Sequence, residues 1–187
     1  ITVANNVVSD TRDGGLHLHC YAYPFGDVVT NNIFAFSQDA ELIRNATMDD
    51  LPAIAAVEAA CFPAAEAATA EEFAGRLAHY ADHFWLLFED GQLAAFVDGF
   101  CTDTPDLTDA MYADASLHDE NGAWQMIFGV NTLPRCRCQG YAGLLLQRAI
   151  ADARAQGRRG LVLTCKEKFL HYYAKFGFVN EGVSGST

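Results

Sequence analysis

Arg137-Cys138-Gln139-Gly140-Tyr141-Ala142-Gly143 stands between an apolar run, Trp124-Gln125-Met126-Ile127-Phe128-Gly129-Val130, and a helical pattern carried by Leu144, Leu145, Leu146, Ala149, Ile150 and Ala153. A strand that turns directly into a helix presents unpaired backbone N–H groups and the positive helix end to an anion. Gly140, Ala142 and Gly143 are small enough to let a pyrophosphate approach the backbone, and Arg137 adds a positive charge. Taken alone, R-x-x-G-x-A fits an ordinary glycine turn equally well. Two rival phosphate motifs are excluded. No Lys-Ser or Lys-Thr follows the glycine, as a Walker loop needs, and the dinucleotide pattern G-x-G-x-x-G is absent.

Downstream, Leu161-Val162-Leu163-Thr164 reads as a buried strand and Phe169 to Phe176 as a short helix stopped by Gly177. Phe178-Val179 starts another strand, and Gly129 in the run before the loop predicts a bulge or a close backbone approach. Upstream, Leu42-Ile43-Arg44 is a short strand. Asp49-Asp50-Leu51-Pro52 opens a helix whose apolar face is Leu51, Ile54, Val57 and Cys61. Thr69-Ala70-Glu71-Glu72 has capping-box spacing before Phe73, Leu77 and Tyr80. Phe84–Phe88, the Asp90-Gly91 turn and Leu93–Val97 form a hairpin. Residues Asp98 to Asn121 read as an acidic loop with one helical turn near Ala110-Met111-Tyr112, either a substrate lid or a solvated excursion. The order β-α-α-β-β-β-α-β-α-β predicts an α/β (α+β) domain around one mixed sheet.

That domain spans residues 41–187, and residues 1–40 differ from it. There, Leu16–Tyr23 alternates like a half-buried strand after Asp13-Gly14-Gly15, and Ile33–Phe36 is a candidate second strand. His17 and His19 would share a strand face, which reads as exposure rather than as a metal pair.

The formal charge of −12 disfavours nucleic acid as a partner. No apolar run reaches the roughly 18–20 residues a membrane span needs, and the start, Ile1–Asn6, lacks a signal-peptide pattern, so the expected location is the cytoplasm. The six cysteines do not resemble a disulfide scaffold, and Cys136-x-Cys138 has no second pair at finger spacing. Reduced thiols and no bound metal are therefore expected. Only Arg12, Arg44 and Arg76 precede Arg135, while all nine other basic residues cluster from Arg135 to Lys175, which points to an anion there.

About thirty residues after the loop stands Tyr172-Tyr173-Ala174-Lys175-Phe176-Gly177-Phe178. Strand, R-x-x-G-x-A, helix, strand and Tyr-x-x-x-Gly-Phe together resemble the GNAT acetyltransferase superfamily from Leu42 to Val179, and Leu133-Pro134 fits the proline that often precedes the arginine. The later half, with Cys165 and the Tyr172–Phe178 segment, looks most like the serotonin (arylalkylamine) N-acetyltransferase branch. The resemblance implies a GNAT-like mixed central sheet with helices on both faces. It also implies acetyl-CoA as co-substrate and a primary amine of a small molecule as acceptor, attacked directly. Backbone groups of Val130, Asn131 and Thr132 would meet the pantetheine arm, and Arg137, Cys138, Gln139, Gly140, Tyr141, Ala142 and Gly143 the pyrophosphate. Tyr173 would protonate the departing thiolate, a task suited to a phenol that keeps its proton at neutral pH.

The chain departs from the pattern in three places. Met126 and Phe128 stand where the arylalkylamine branch carries two histidines, which leaves His118 or Glu58 as substitute bases. Lys166 stands where an asparagine often contacts the cofactor, and the seventh strand of the family fold has no counterpart before Thr187. An unpaired sheet edge invites pairing. Leu16–Tyr23, or a partner chain such as a second copy in a homodimer, would fill the gap. The rival functional readings are a non-catalytic CoA-binding module and an acetyltransferase acting on protein amino groups.

Overall fold

The computed structural model describes residues 17–22 and 42–183. The candidate strand Ile33–Phe36 and the turn at Asp13–Gly15 lie outside the described residues. The strands are β1 (His17–Ala22), β2 (Leu42–Asn45), β3 (Phe84–Glu89), β4 (Gln92–Asp98), β5 (Cys101–Thr102), β6 (Trp124–Ile127), β7 (Gly129–Thr132), β8 (Gly160–Lys166) and β9 (Phe178–Val183). The helices are α1 (Leu51–Cys61), α2 (Ala70–Tyr80), α3 (Asp109–Ala113), α4 (Tyr141–Ala155) and α5 (Leu170–Ala174).

The architecture is α+β, with two sheets where the sequence suggests one. One sheet runs β5-β6-β8-β1-β9 and the other β2-β3-β4-β7. The apolar run Trp124–Val130 breaks at Phe128, so that β6 pairs parallel with β8 while β7 pairs antiparallel with β4. The facing strand breaks at the same level, β4 in one sheet passing to β5 in the other. Gly99 makes the crossing possible: a Cβ there would sit 1.7 Å from the Met126 carbonyl oxygen. Gly129 is a close approach for the same reason, since a Cβ there would sit 2.5 Å from Asp98 Oδ1. β1 lies between β8 and β9, antiparallel to both, so a strand from the N-terminal part of the chain joins the last two strands.

Both faces of the sheets are covered, and the strands alternate accordingly. On β3, Trp85 and Leu87 face one core with Leu145, Ala149 and Ala153 of α4, whereas Phe84 and Leu86 face a second with Ile54 and Val57 of α1 and Phe73 and Leu77 of α2. Period-2 alternation between two buried faces is why these strands read as unbroken apolar runs. The acidic stretch after Asp98 is not a solvated excursion. Leu107 and Met111 are buried in the second core, and buried Arg158 donates to the carbonyls of Gly122 and Glu120 at 2.6 and 3.0 Å.

The box at the start of α2 is formed in full. Thr69 Oγ1 accepts the Glu72 N–H at 3.2 Å, and the Thr69 N–H donates to Glu72 Oε2 at 2.6 Å. Thr69→Ala is expected to lower stability by about 1 kcal/mol, measured by urea unfolding. An unchanged midpoint would show that the cap is dispensable.

Candidate functional site

The break at Phe128 splays the sheets apart. β6 and β8 stay paired as far as Ile127 opposite Leu163, after which β7 leaves with β4 and β8 continues beside β1. A wedge therefore opens between β7 and Thr164–Lys166 of β8. Along an antiparallel pair, successive residues point their N–H and C=O groups alternately toward the partner and away. The Leu133 N–H bonds the Ala94 carbonyl, so Asn131 also turns its backbone toward β4. Val130 and Thr132 turn theirs into the wedge. The Thr132 carbonyl already accepts from Arg137 Nε and Cys61 Sγ, each at 3.3 Å, and Val130 is left as the strand's hydrogen-bonding residue on this edge.

The loop follows at the wide end of the wedge. After the turn Pro134–Cys136, Cys138 and Gly140 both take positive φ, 64° and 89°, and α4 begins at Tyr141. Gly140 caps the helix without a side-chain hydrogen bond, so the first-turn N–H groups of Ala142 and Gly143 point outward at the positive helix end. Positive φ is strained for cysteine and free for glycine. Arg137 is exposed beside this concave run of N–H groups.

Glu89, at the end of β3, holds the loop in place and carried no signal in the sequence. Its carboxylate accepts from the Tyr141 hydroxyl, from Cys136 Sγ at 3.4 Å and from Arg135 at 3.4 Å. The Tyr141 hydrogen bond keeps the Glu89 carboxyl below the usual carboxylate range. Tyr141 and Cys136 thus serve the loop by anchoring it, and Cys136 is buried where Cys138 is exposed. The basic cluster of the sequence divides likewise: Arg148 pairs with Asp152, and Arg158 ties the inserted segment to the core.

α5 leans on the first turn of α4. A Cβ at Gly143 would lie 3.1 Å from the Phe176 ring and 3.9 Å from the Tyr172 hydroxyl. Tyr173 is half-buried, its ring 5.2 Å from Tyr172 and 5.9 Å from Phe178, against the same core that receives the Val130 side chain. The structure therefore brings together Val130, Thr132, the 137–143 loop and the α5 tyrosines. Asn131 serves otherwise: its Nδ2 donates to Glu58 Oε2 at 2.7 Å on the opposite face of β7. Lys166 is exposed at the end of β8.

The two substitute bases differ in their surroundings. Glu58 is buried on α1, accepts the Ala68 N–H at 3.0 Å through its other oxygen, and is pushed up by burial. His118 has both ring nitrogens engaged, with the Cys101 N–H at 3.1 Å and Glu120 at 3.2 Å, and burial pushes its pKa down. Beneath the break lies a buried ion pair. Asp98 accepts from Arg76 at 3.1 Å and from the Gly129 N–H, and burial lifts its carboxyl to about 6 even against the guanidinium. The narrow end of the wedge is closed by the inserted segment, where the Tyr112 ring lies tilted with its centroid 4.8 Å from that of Phe128 and its hydroxyl meets Thr164 Oγ1 at 3.2 Å.

Among the described residues no helix is long and apolar enough to cross a membrane. No curated protein matches the chain significantly. Solved structures do. GphF, a GNAT-like decarboxylase in complex with isobutyryl-CoA, is 28% identical with a TM-score of 0.61 over 72% of this chain and 71% of its own. The loading GNATL domain of CurA from Lyngbya majuscula is 22% identical with a TM-score of 0.60 over 66% of this chain, which spans 64% of that domain. A GNAT family acetyltransferase from Brucella melitensis in complex with acetyl-CoA is 22% identical with a TM-score of 0.53, covering 78% and 89% of the two chains. The family model for the acetyltransferase (GNAT) family matches residues 46–178, the stretch that holds the wedge, the loop and Tyr173, and the chain belongs to that family.

Proposed function

We propose that the protein transfers an acetyl group from acetyl-CoA to a primary amine of a small molecule. The observation that carries the reading is the wedge between β7 and β8 with the loop 137–143 at its mouth. It offers a strand edge for an amide-bearing arm and a helix start for a pyrophosphate, in one line. The neutral amine attacks the thioester carbonyl carbon, the C–S bond breaks, and Tyr173 gives its proton to the leaving sulfur. The amine proton passes to Glu58, which Asn131 holds against β7 and whose pKa burial raises, whereas burial lowers that of His118. We assign stabilisation of the developing oxyanion to the Val130 N–H. Those of Phe128 and Gly129 are taken by Asp98.

Acetyl-CoA at 100 times its dissociation constant is expected to stabilise the protein by about 2.7 kcal/mol, and a panel of small primary amines to release free CoA thiol. Failure of acetyl-CoA to shift the melting temperature would overturn the reading outright. The acid limb of the pH–rate profile is expected to flatten in Glu58→Gln; an unchanged limb would remove Glu58 as base. A second reading is favoured by the likeness to GphF: decarboxylation of an acyl-CoA bearing a free carboxylate, with CO₂ released and no amine needed. Amine-independent CO₂ release, with the acyl group retained on CoA, would support it.

A further inference from the structure

Four side chains with metal-binding atoms meet where the inserted segment docks onto the start of β3. One ring nitrogen each of His83 and His118 and the Cys101 sulfur lie within 4.8 Å of one another. Glu120 Oε2 stands 2.9 Å from His83 Nε2 and 3.2 Å from His118 Nε2, and Cys101 Sγ is 3.7 Å from His83 Nε2. His83 and Cys101 are buried, and His118 is nearly so.

The hydrogen bonds around His83 require a positive species at this point. Gln125 is wholly buried, and its Nε2 amide donates to the carbonyls of Phe100 at 3.2 Å and Met126 at 2.9 Å. Its Oε1 must therefore face His83 Nδ1, 2.7 Å away, which accordingly carries the proton. In the neutral ring, His83 Nε2 is then an acceptor pointed at a carboxylate oxygen. Two acceptors 2.9 Å apart repel unless a proton or a metal cation lies between them.

We propose that His83, Cys101, His118 and Glu120 bind one zinc-class divalent cation. Nitrogen, sulfur and oxygen donors in this mixture suit zinc rather than magnesium or calcium. Around zinc, with bonds of about 2.0 Å to nitrogen and oxygen and about 2.3 Å to sulfur, tetrahedral donors stand about 3.3–3.5 Å apart. The separations of 2.9, 3.2 and 3.7 Å bracket that range. Two small changes complete the site. The Cys101 sulfur, which lies 3.6 Å from His83 Nδ1 and 3.7 Å from Nε2, loses its proton, leaves Gln125 Oε1 at 3.2 Å and turns toward Nε2 onto the cation. His118 moves its proton off Nε2, exchanging the Cys101 N–H bond for coordination.

The outer partners are already in place. Gln125 orients His83, as a hydrogen-bonded neighbour orients a ligating histidine in known metal sites. Arg158 Nη2 holds the other Glu120 oxygen at 3.1 Å and leaves Oε2 for the cation. The Glu120 side chain is 60% exposed, which provides the entry path. The site would staple the inserted segment, through Cys101, His118 and Glu120, to His83 at the start of β3, beside the Tyr80 and Phe100 rings that stack on His118. This inference is independent of the acyltransfer reading.

The test uses the whole chain, stripped with a chelator and titrated with Zn²⁺ and, separately, Co²⁺. Zn²⁺ is expected to raise the melting temperature and saturate at one equivalent. Co²⁺ is expected to give visible tetrahedral bands together with a thiolate-to-cobalt charge-transfer band. Cys101→Ser should abolish the charge-transfer band, whereas Cys136→Ser/Cys138→Ser should keep it. The melting temperature of metal-free Cys101→Ser, expected to match that of the metal-free wild type, serves as the check on folding. No zinc-dependent shift, or a charge-transfer band that survives in Cys101→Ser, would overturn the site.

Discussion

Tyr173→Phe is expected to lower turnover by about 10²–10⁴-fold, the usual worth of a positioned proton donor, while the thermal shift with acetyl-CoA persists. The substitution removes one hydroxyl and keeps the ring that packs 5.2 Å from Tyr172 and 5.9 Å from Phe178, so the fold has little reason to change. A thiolate expelled without a proton is a poorer leaving group than a thiol, and in the proposed mechanism the Tyr173 phenol, a group that ordinarily keeps its proton at pH 7, supplies it. Single-turnover thiol release separates this loss from a loss of binding. Tyr172→Phe is the control, because its hydroxyl lies at the first turn of α4 and burial pushes its pKa up. Wild-type turnover in Tyr173→Phe, with the loss in Tyr172→Phe instead, would move the role by one residue.

Asp98→Ala is expected to be the most damaging single change to stability, about 3–5 kcal/mol. Asp98 is 1% exposed, and its loss leaves the Arg76 guanidinium buried without its carboxylate partner. The penalty is that of an uncompensated buried charge. It exceeds the worth of the pair itself, because burial already disfavours the ionised Asp98 and lifts its pKa to about 6. The same deletion frees the Gly129 N–H at the start of β7, so the wedge should widen as well. Urea unfolding reads the first effect and acetyl-CoA affinity the second. A loss below about 1 kcal/mol would show that Arg76 finds other partners, since exposed pairs are worth that little.

Much of the fold was legible because it follows from local rules. The Thr69–Glu72 box, the Asp90-Gly91 turn and the helix stop at Gly177 all act within a few residues, and the last two carry positive φ where they stand. The acidic stretch after Asp98 misled for a physical reason. Its burial rests on Leu107 and Met111, two apolar residues in a charged background, and on Arg158, which arrives from beyond α4. Glu58 was one of two candidate bases in the sequence, but its contact with Asn131, 73 residues away, was not legible there.

The loop Arg137–Gly143 followed by Tyr173 is a sequential pattern, and the sequence by itself determined it: a strand running into a glycine-opened helix leaves unpaired N–H groups at the positive helix end. The split of Trp124–Val130 into two strands was decided by tertiary structure alone. Gly129 marks a close approach within that apolar run, but nothing local says that the strand changes partner there. It stops where Asp98 takes both N–H groups, that of Phe128 on its main-chain carbonyl and that of Gly129 on the carboxylate buried against Arg76, and β7 leaves β8 with β4. That divergence opens the wedge. The contacts that cause it join residues 22 to 31 positions apart, at distances that periodicity cannot sense.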